Sequence, residues 1–185
     1  MEKSRNVLLG GMLLLFILSL FLNLPYIHLR EFQGEEGRRV IIAKNMIETG
    51  EWVVPYVEGK VYLNKPPLFN WLLAFVFQLT GVISETSART VSVIAAFLCA
   101  MSLSLFWKNI AKINTIRFIL PGLIFLTFTD VMDRAIRAEI DMTFTFFVTI
   151  SLIAWFHYFE IKKKEFTAWL IALSLISLST LTKGM

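Results

Sequence analysis

The sequence predicts an all-α integral membrane protein, and three observations carry that prediction. Apolar residues make up 56% of the 185 positions while charged ones make up 17%, a balance far from that of a soluble domain of this length. The charges cluster between long apolar runs instead of spreading along amphipathic faces, as expected when lipid solvates the elements and water meets only the loops. Several of those runs approach the roughly 20 residues that a helix needs to cross about 30 Å of hydrocarbon. The net charge of +4 comes largely from short basic groups beside the runs. Such groups act as topology signals, so nucleic acid is not an expected partner and membrane lipids are. Cys99 is the only cysteine and sits inside an apolar run, which excludes an intramolecular disulfide and a cysteine-based metal site.

The first run, 7–26, follows Lys3 and Arg5 and has no small-residue cleavage site after it, so it reads as a retained span. Residues 36–49 read as a short amphipathic helix with Val40, Ala43, Met46 and Ile47 on one side, stopped by Gly50. An extended pair, 52–57 and 61–63, brackets a turn at Glu58-Gly59-Lys60. Lys65-Pro66-Pro67 then opens a helix over 67–83 that is interrupted by Asn70 and Gln78. Further spans are expected at 88–107, 116–132, 142–159 and 166–181, the second of these containing Pro121 and Gly122.

Charge decides whether 67–83 crosses. If it does not, Lys3-Arg5, the 108–117 loop and Lys162-Lys163-Lys164 all face the cytoplasm, as the positive-inside rule asks. If it does, the last two groups move outside and leave Lys3 and Arg5 isolated. The expectation is therefore about five transmembrane helices, a cytoplasmic N-terminus, and a long outer loop over 28–87 carrying juxtamembrane helices at 36–49 and 67–83. The 130–141 segment then lies on the same outer side.

Three polar clusters are candidates for chemistry. Glu35-Glu36-Gly37-Arg38-Arg39 opens the first amphipathic helix. The positive end of a helix favours ionised carboxylates, which suits a general base or a metal ligand; it equally suits plain first-turn acids. Lys65 is placed either to meet a phosphate as a point charge or to snorkel beside headgroups. The third cluster runs Asp130, Asp133, Arg134, Arg137, Glu139, Asp141. Spacings of four from Asp133 to Arg137 and from Arg137 to Asp141 predict ion pairs if one helix continues, and ionisable groups at a span's end are also functional candidates. His28 and His157 are too few and too far apart for a histidine metal site.

Taken together, several motifs resemble one family. Glu35-Glu36-Gly37-Arg38, Thr49-Gly50-Glu51-Trp52-Val53-Val54-Pro55, Tyr62-Leu63-Asn64-Lys65-Pro66-Pro67-Leu68 with Trp71, and Ala88-Arg89 are similar to the first outer loop of bacterial dolichyl-phosphate-mannose-protein mannosyltransferase-like enzymes. One branch of that family is the aminoarabinose transferase of lipid A. Arg137-Ala138-Glu139-Ile140-Asp141 and Leu181-Thr182-Lys183-Gly184 extend the likeness along the chain. The resemblance implies a type-C glycosyltransferase fold in a bacterial inner membrane, with active loops on the periplasmic side, and it reads this chain as the N-terminal portion of a longer enzyme. It implies a polyprenyl-phosphate-linked sugar as donor and a lipid or protein acceptor. By position it assigns catalytic acids to Glu35 and Asp141 and a phosphate contact to Lys65; Arg38 and Arg137, from the same polar clusters, are further candidates for the phosphate, with Glu36 and Glu139 as secondary candidates. In the aminoarabinose branch a glutamate before the lysine helps bind zinc, whereas Asn64 stands here, so no metal ligand is assigned; a divalent ion is left open as a cofactor. The competing readings are a non-catalytic membrane subunit and a transporter-like helical bundle.

Overall fold

The structure is a computed structural model that describes residues 2–184; the side chain of Lys3, one of the charges used to orient the first span, lies outside the described residues. Helices account for most of it. In order they are α1 (Glu2–Asn23), α2 (Glu36–Thr49), α3 (Leu68–Thr80), α4 (Glu85–Ile110), α5 (Leu120–Thr127), α6 (Thr129–Ala135), α7 (Ile140–Phe156) and α8 (Glu165–Lys183). A 3-10 turn (Ile116–Ile119) precedes α5, and a π-helical turn (His157–Ile161) extends α7. Two short antiparallel strands, β1 (Tyr56–Val57) and β2 (Lys60–Val61), form a hairpin with Tyr56 opposite Val61.

Among the described residues, four helices are long and apolar enough to cross a membrane: Arg5–Asn23, Glu85–Ile110, Ile140–Ile161 and Glu165–Lys183. The stretch 116–132 is not one rod. Pro121 sits in the first turn of α5, where a missing N–H costs nothing, and Phe128 then turns extended at ψ 127, so a separate helix begins at Thr129. Thr127 adds to the break by turning its hydroxyl back to the Leu123 carbonyl at 2.9 Å. The α3 helix spans 13 residues, too few for a crossing at 1.5 Å per residue.

Small residues let these helices approach. Buried Ala95, Ala96 and Ala100 of α4 face Leu15, Phe118 and Leu126. A Cβ added to Gly122 would lie 2.6 Å from the Ala100 carbonyl oxygen, so only glycine fits there, and the Gly122 N–H donates to Ser104 Oγ at 3.2 Å. A second apolar cluster joins α2 and α3 to the start of α4 and α7 through Val40, Ala43, Phe69, Leu73, Ala88 and Ile140. That cluster holds α2 and α3 against one end of the bundle. Large apolar side chains on α1 and α8, among them Leu13, Phe21, Trp169 and Leu173, remain exposed, as a lipid-facing surface would leave them.

Candidate active site

One buried ion pair organises the polar end of the bundle. Glu36, in the first turn of α2, accepts from Arg89 of α4 through both carboxylate oxygens, Nε to Oε1 at 2.9 Å and Nη2 to Oε2 at 3.0 Å. The Gln33 N–H donates to Oε2 at 2.9 Å, and the Ala138 N–H donates to Oε1 at 2.8 Å across the fold. Arg89 spends its other donors on the carbonyls of Ile27, Arg30 and Glu31 at 2.7–3.0 Å. Neither side chain meets solvent. Each polar atom therefore has a partner, the condition under which a buried pair is tolerated. Burial pushes the Glu36 carboxyl up, but Arg89 and the Gln33 and Ala138 amides outweigh it and hold the pKa below the ordinary carboxylate value.

This staple binds three separate segments: the exit from α1, the start of α2 and the approach to α7. Glu35 and the 138–141 stretch are thereby neighbours. A Cβ on Gly34 would lie 3.8 Å from Glu139 Oε1, and Arg30 Nη2 reaches the Ile136 carbonyl at 3.5 Å. Glu35 itself is half exposed and takes the Arg38 Nη1 on both oxygens, at 2.6 and 2.7 Å. Glu36, a secondary candidate in the sequence, is by contrast enclosed and fully engaged.

Asp141 lies in the first turn of α7 with Arg134 Nη1 at 3.0 Å from Oδ2 and Lys183 Nζ at 2.8 Å from Oδ1. A cleft of about 370 Å³ opens over this pair, lined by Asp130, Arg134, Asp141, Phe144, Thr145 and Lys183. The ion ladder expected through Arg137 forms only in half. Arg137 meets Asp133 at 2.7 Å, but the helix ends at Ala135 and restarts at Ile140, so Arg134 takes the place beside Asp141. Glu139, at the restart, sits 3.7 Å from Arg134. Its carboxyl is pushed above the ordinary value by burial and by the neighbouring Asp141 charge, with Arg137 and Arg134 offsetting part of the rise.

Lys65 reaches the same end by another route. The hairpin is fixed to α2 where Asn45 Nδ2 donates to the Tyr56 carbonyl at 3.0 Å, and Trp71 of α3 donates to the Trp52 carbonyl at 2.8 Å. Pro66 lies 3.7 Å from where a Cβ of Gly184 would sit, next to Lys183 and hence to Asp141. Tyr62 is covered by two guanidinium groups, Arg38 at 5.6 Å and Arg39 at 5.9 Å from its ring centre.

The ion pairs separate these cations into two sets. Arg38, Arg89, Arg134, Arg137 and Lys183 each hold a carboxylate. Among the described residues, Arg30, Arg39 and Lys65 hold none. Arg39 is 3% exposed and its Nη1 is buried without a hydrogen-bond partner, so an anion beside it would satisfy an unpaired donor; Arg30 and Arg137 each leave a buried Nε in the same condition. Sequence reasoning passed over Arg39 because its neighbour Arg38 carries the family likeness; only burial distinguishes the two. Arg89 was legible as a motif residue, but its partnership with Glu36 spans 53 positions and has no local signal. No three His, Cys, Asp or Glu side chains among the described residues gather closely enough to hold a metal ion.

A bundle with amphipathic helices and acidic loops packed on one end defines a class, that of membrane-embedded helical proteins sharing the fold of ArnT from Cupriavidus metallidurans. The apo crystal structure of that protein superposes with a TM-score of 0.80 at 20% identity, over 95% of this chain and 33% of that one. The structure bound to undecaprenyl phosphate gives 0.72 over 98% and 32%. The profile of the dolichyl-phosphate-mannose-protein mannosyltransferase family matches residues 64–185, and the chain belongs to that family. Among curated relatives, an uncharacterized protein of Aquifex aeolicus is 32% identical over 100% of this chain and 35% of its own length. The undecaprenyl phosphate-alpha-4-amino-4-deoxy-L-arabinose arabinosyl transferase of Pseudomonas savastanoi is 28% identical over 98% and 33%. The chain thus spans about a third of the length of the relatives it matches. The four spanning-length helices among the described residues and its family make it a membrane protein.

Proposed function

We propose that this chain forms the acidic-loop portion of a glycosyltransferase that moves a sugar from a polyprenyl phosphate to a lipid acceptor of the lipid A type or to a protein. The reaction takes place at the outer face of the membrane. The observation that carries the reading is the convergence of Glu35, Asp141 and the Lys65 segment, from three stretches far apart in sequence, at one end of the bundle. The cytoplasmic end is then the one with Lys108, Lys112 and Lys162-Lys163-Lys164, in keeping with the positive-inside rule.

The departing polyprenyl phosphate is a weak base, so the site needs a base and cations more than a strong acid. Glu35 serves as the base that takes the acceptor proton, and Asp141, fixed by Arg134 and Lys183, orients the acceptor. Lys65 and Arg39 attract the phosphate and stabilise the charge that grows on it. Arg38 couples the two events: an arriving phosphate competes with Glu35 for its guanidinium, and the carboxylate it leaves is free to accept a proton. Arg137 stays on Asp133 and shapes the field from one step further away. Attack from the face opposite the phosphate, with no second nucleophile, inverts the sugar carbon.

The test is transfer of radiolabelled sugar from an undecaprenyl-phosphate donor by the full-length protein in liposomes. Wild-type protein is expected to transfer label and Glu35→Gln to lose nearly all of it. Full transfer by the Gln variant removes Glu35 from the mechanism, and no transfer by wild type with any such donor removes the function.

A further inference from the structure

A second cleft opens at the opposite end of the bundle, between α4 and α7 with Leu175 of α8 on one side, and away from every residue of the candidate active site. It measures about 390 Å³, with walls that include Phe106, Ile150, Ile153 and Leu175. That volume lies within the range of small-ligand sites. Its mouth is polar, formed by Asn109, His157 and Tyr158. The π-helical turn shapes this mouth. The Lys162 N–H donates to the His157 carbonyl at 3.0 Å, a spacing of five, and the wider turn leaves His157, Tyr158 and Ile161 all lining the cleft. The Lys164 N–H then donates to the Tyr158 carbonyl at 2.8 Å, which folds the lysine-rich connection back over the turn.

The charge around the mouth is mostly positive, with Glu160 and Glu165 the acids among the lysines. Lys108 directly precedes the lining residue Asn109, Lys162 directly follows Ile161, and Lys112 and Lys164 lie in the two adjoining connections. Among the described residues, the one ion pair in these connections is Lys163 with Glu160 at 3.1 Å. An apolar slot between two membrane helices, with hydrogen-bonding groups at its mouth and lysines around it, is complementary to one kind of molecule: an anionic headgroup joined to a hydrocarbon chain.

We propose that this cleft binds an anionic phospholipid of the leaflet at the lysine-rich end, with an acyl chain against Phe106, Ile150 and Ile153 and the phosphate at Asn109, His157 and the surrounding lysines. A bare phosphate would leave the apolar walls unused, and a neutral phospholipid would leave the lysines unmatched. The site is independent of sugar transfer and does not rest on the function proposed above.

The test uses the full-length protein, delipidated in detergent, with lipid binding read by native mass spectrometry against phosphatidylglycerol and phosphatidylcholine of identical chains. Wild type is expected to retain phosphatidylglycerol at least tenfold better. Each lysine beside an anionic lipid contributes about fivefold, so Lys108→Gln, Lys162→Gln and Lys164→Gln together should erase the preference without changing phosphatidylcholine binding. Ala154→Phe, which fills the cleft, should lower retention of both lipids. Glycerol 3-phosphate, a headgroup without chains, should not compete. Equal retention of the two lipids by wild type, an unchanged preference in the triple variant, or displacement by glycerol 3-phosphate overturns the proposal. The lysines are outside the packed core, so the triple variant decides even if Ala154→Phe does not fold.

Discussion

Two adjacent glutamates illustrate how burial divides labour between residues of the same type. Glu35 is half exposed and held by one surface arginine, while Glu36 is closed off and holds the fold together. Glu35→Gln keeps the shape and removes the proposed base, so turnover should fall by about 10²- to 10⁴-fold with the unfolding temperature unchanged, checked by transfer assay and thermal denaturation. Two adjacent arginines divide in the same way. If Arg39 binds the donor phosphate as proposed, Arg39→Gln should raise the donor KM about tenfold or more with a smaller change in kcat. Glu139 bears a third prediction. Its pKa is raised, so the folded state binds its proton more tightly than the unfolded chain does, and its contribution to stability falls as pH rises through the folded value. Glu139→Gln removes that penalty, and at neutral pH the variant should unfold at the same or a higher temperature than wild type.

At the scale of elements, the staple between α2, α4 and the 138–141 segment is the feature on which the site depends. Breaking a buried pair leaves an uncompensated charge, and Glu36→Gln or Arg89→Met should destabilise the protein by about 3–5 kcal/mol, measured by thermal or denaturant unfolding in detergent. Its pH dependence has the sign opposite to that of Glu139. The Glu36 pKa is lowered, so this stabilisation is complete above the ordinary carboxylate value and is lost as pH falls through the folded one. Wild-type protein should therefore lose stability in acid, and Glu36→Gln should lose less over the same range. The elements also differ in how far the sequence revealed them. The α2 helix starts at Glu36 and stops at Gly50, which takes φ +73, because acidic first turns and left-handed glycines are local signals. The division of 116–132 into a 3-10 turn and two helices was not legible, because its apolar run is continuous and the extended Phe128 has no local marker. The half-formed ladder at 133–141 failed for the same reason: its spacing is right for a helix, but the helix stops at Ala135.

For the whole molecule, what the sequence revealed was solvent and family. Apolar run length gave the membrane class, and motif order gave the family likeness, because both are written along the chain. Which cations are neutralised and which are left for a ligand is a property of long-range pairing, as with Glu36 and Arg89 or Asp141 and Lys183, and it emerged only from the fold. The central claim is that the two acidic segments share one outer edge of the membrane, opposite the lysine-rich end. The most direct measurement is accessibility of single cysteines to a membrane-impermeant maleimide in intact cells, in a full-length protein whose native cysteines, Cys99 included, are replaced by serine. Glu35→Cys and Asp130→Cys are expected to label from outside, and Lys163→Cys only after the membrane is opened. Labelling of the cysteines at 35 and 130 from opposite sides would contradict the account.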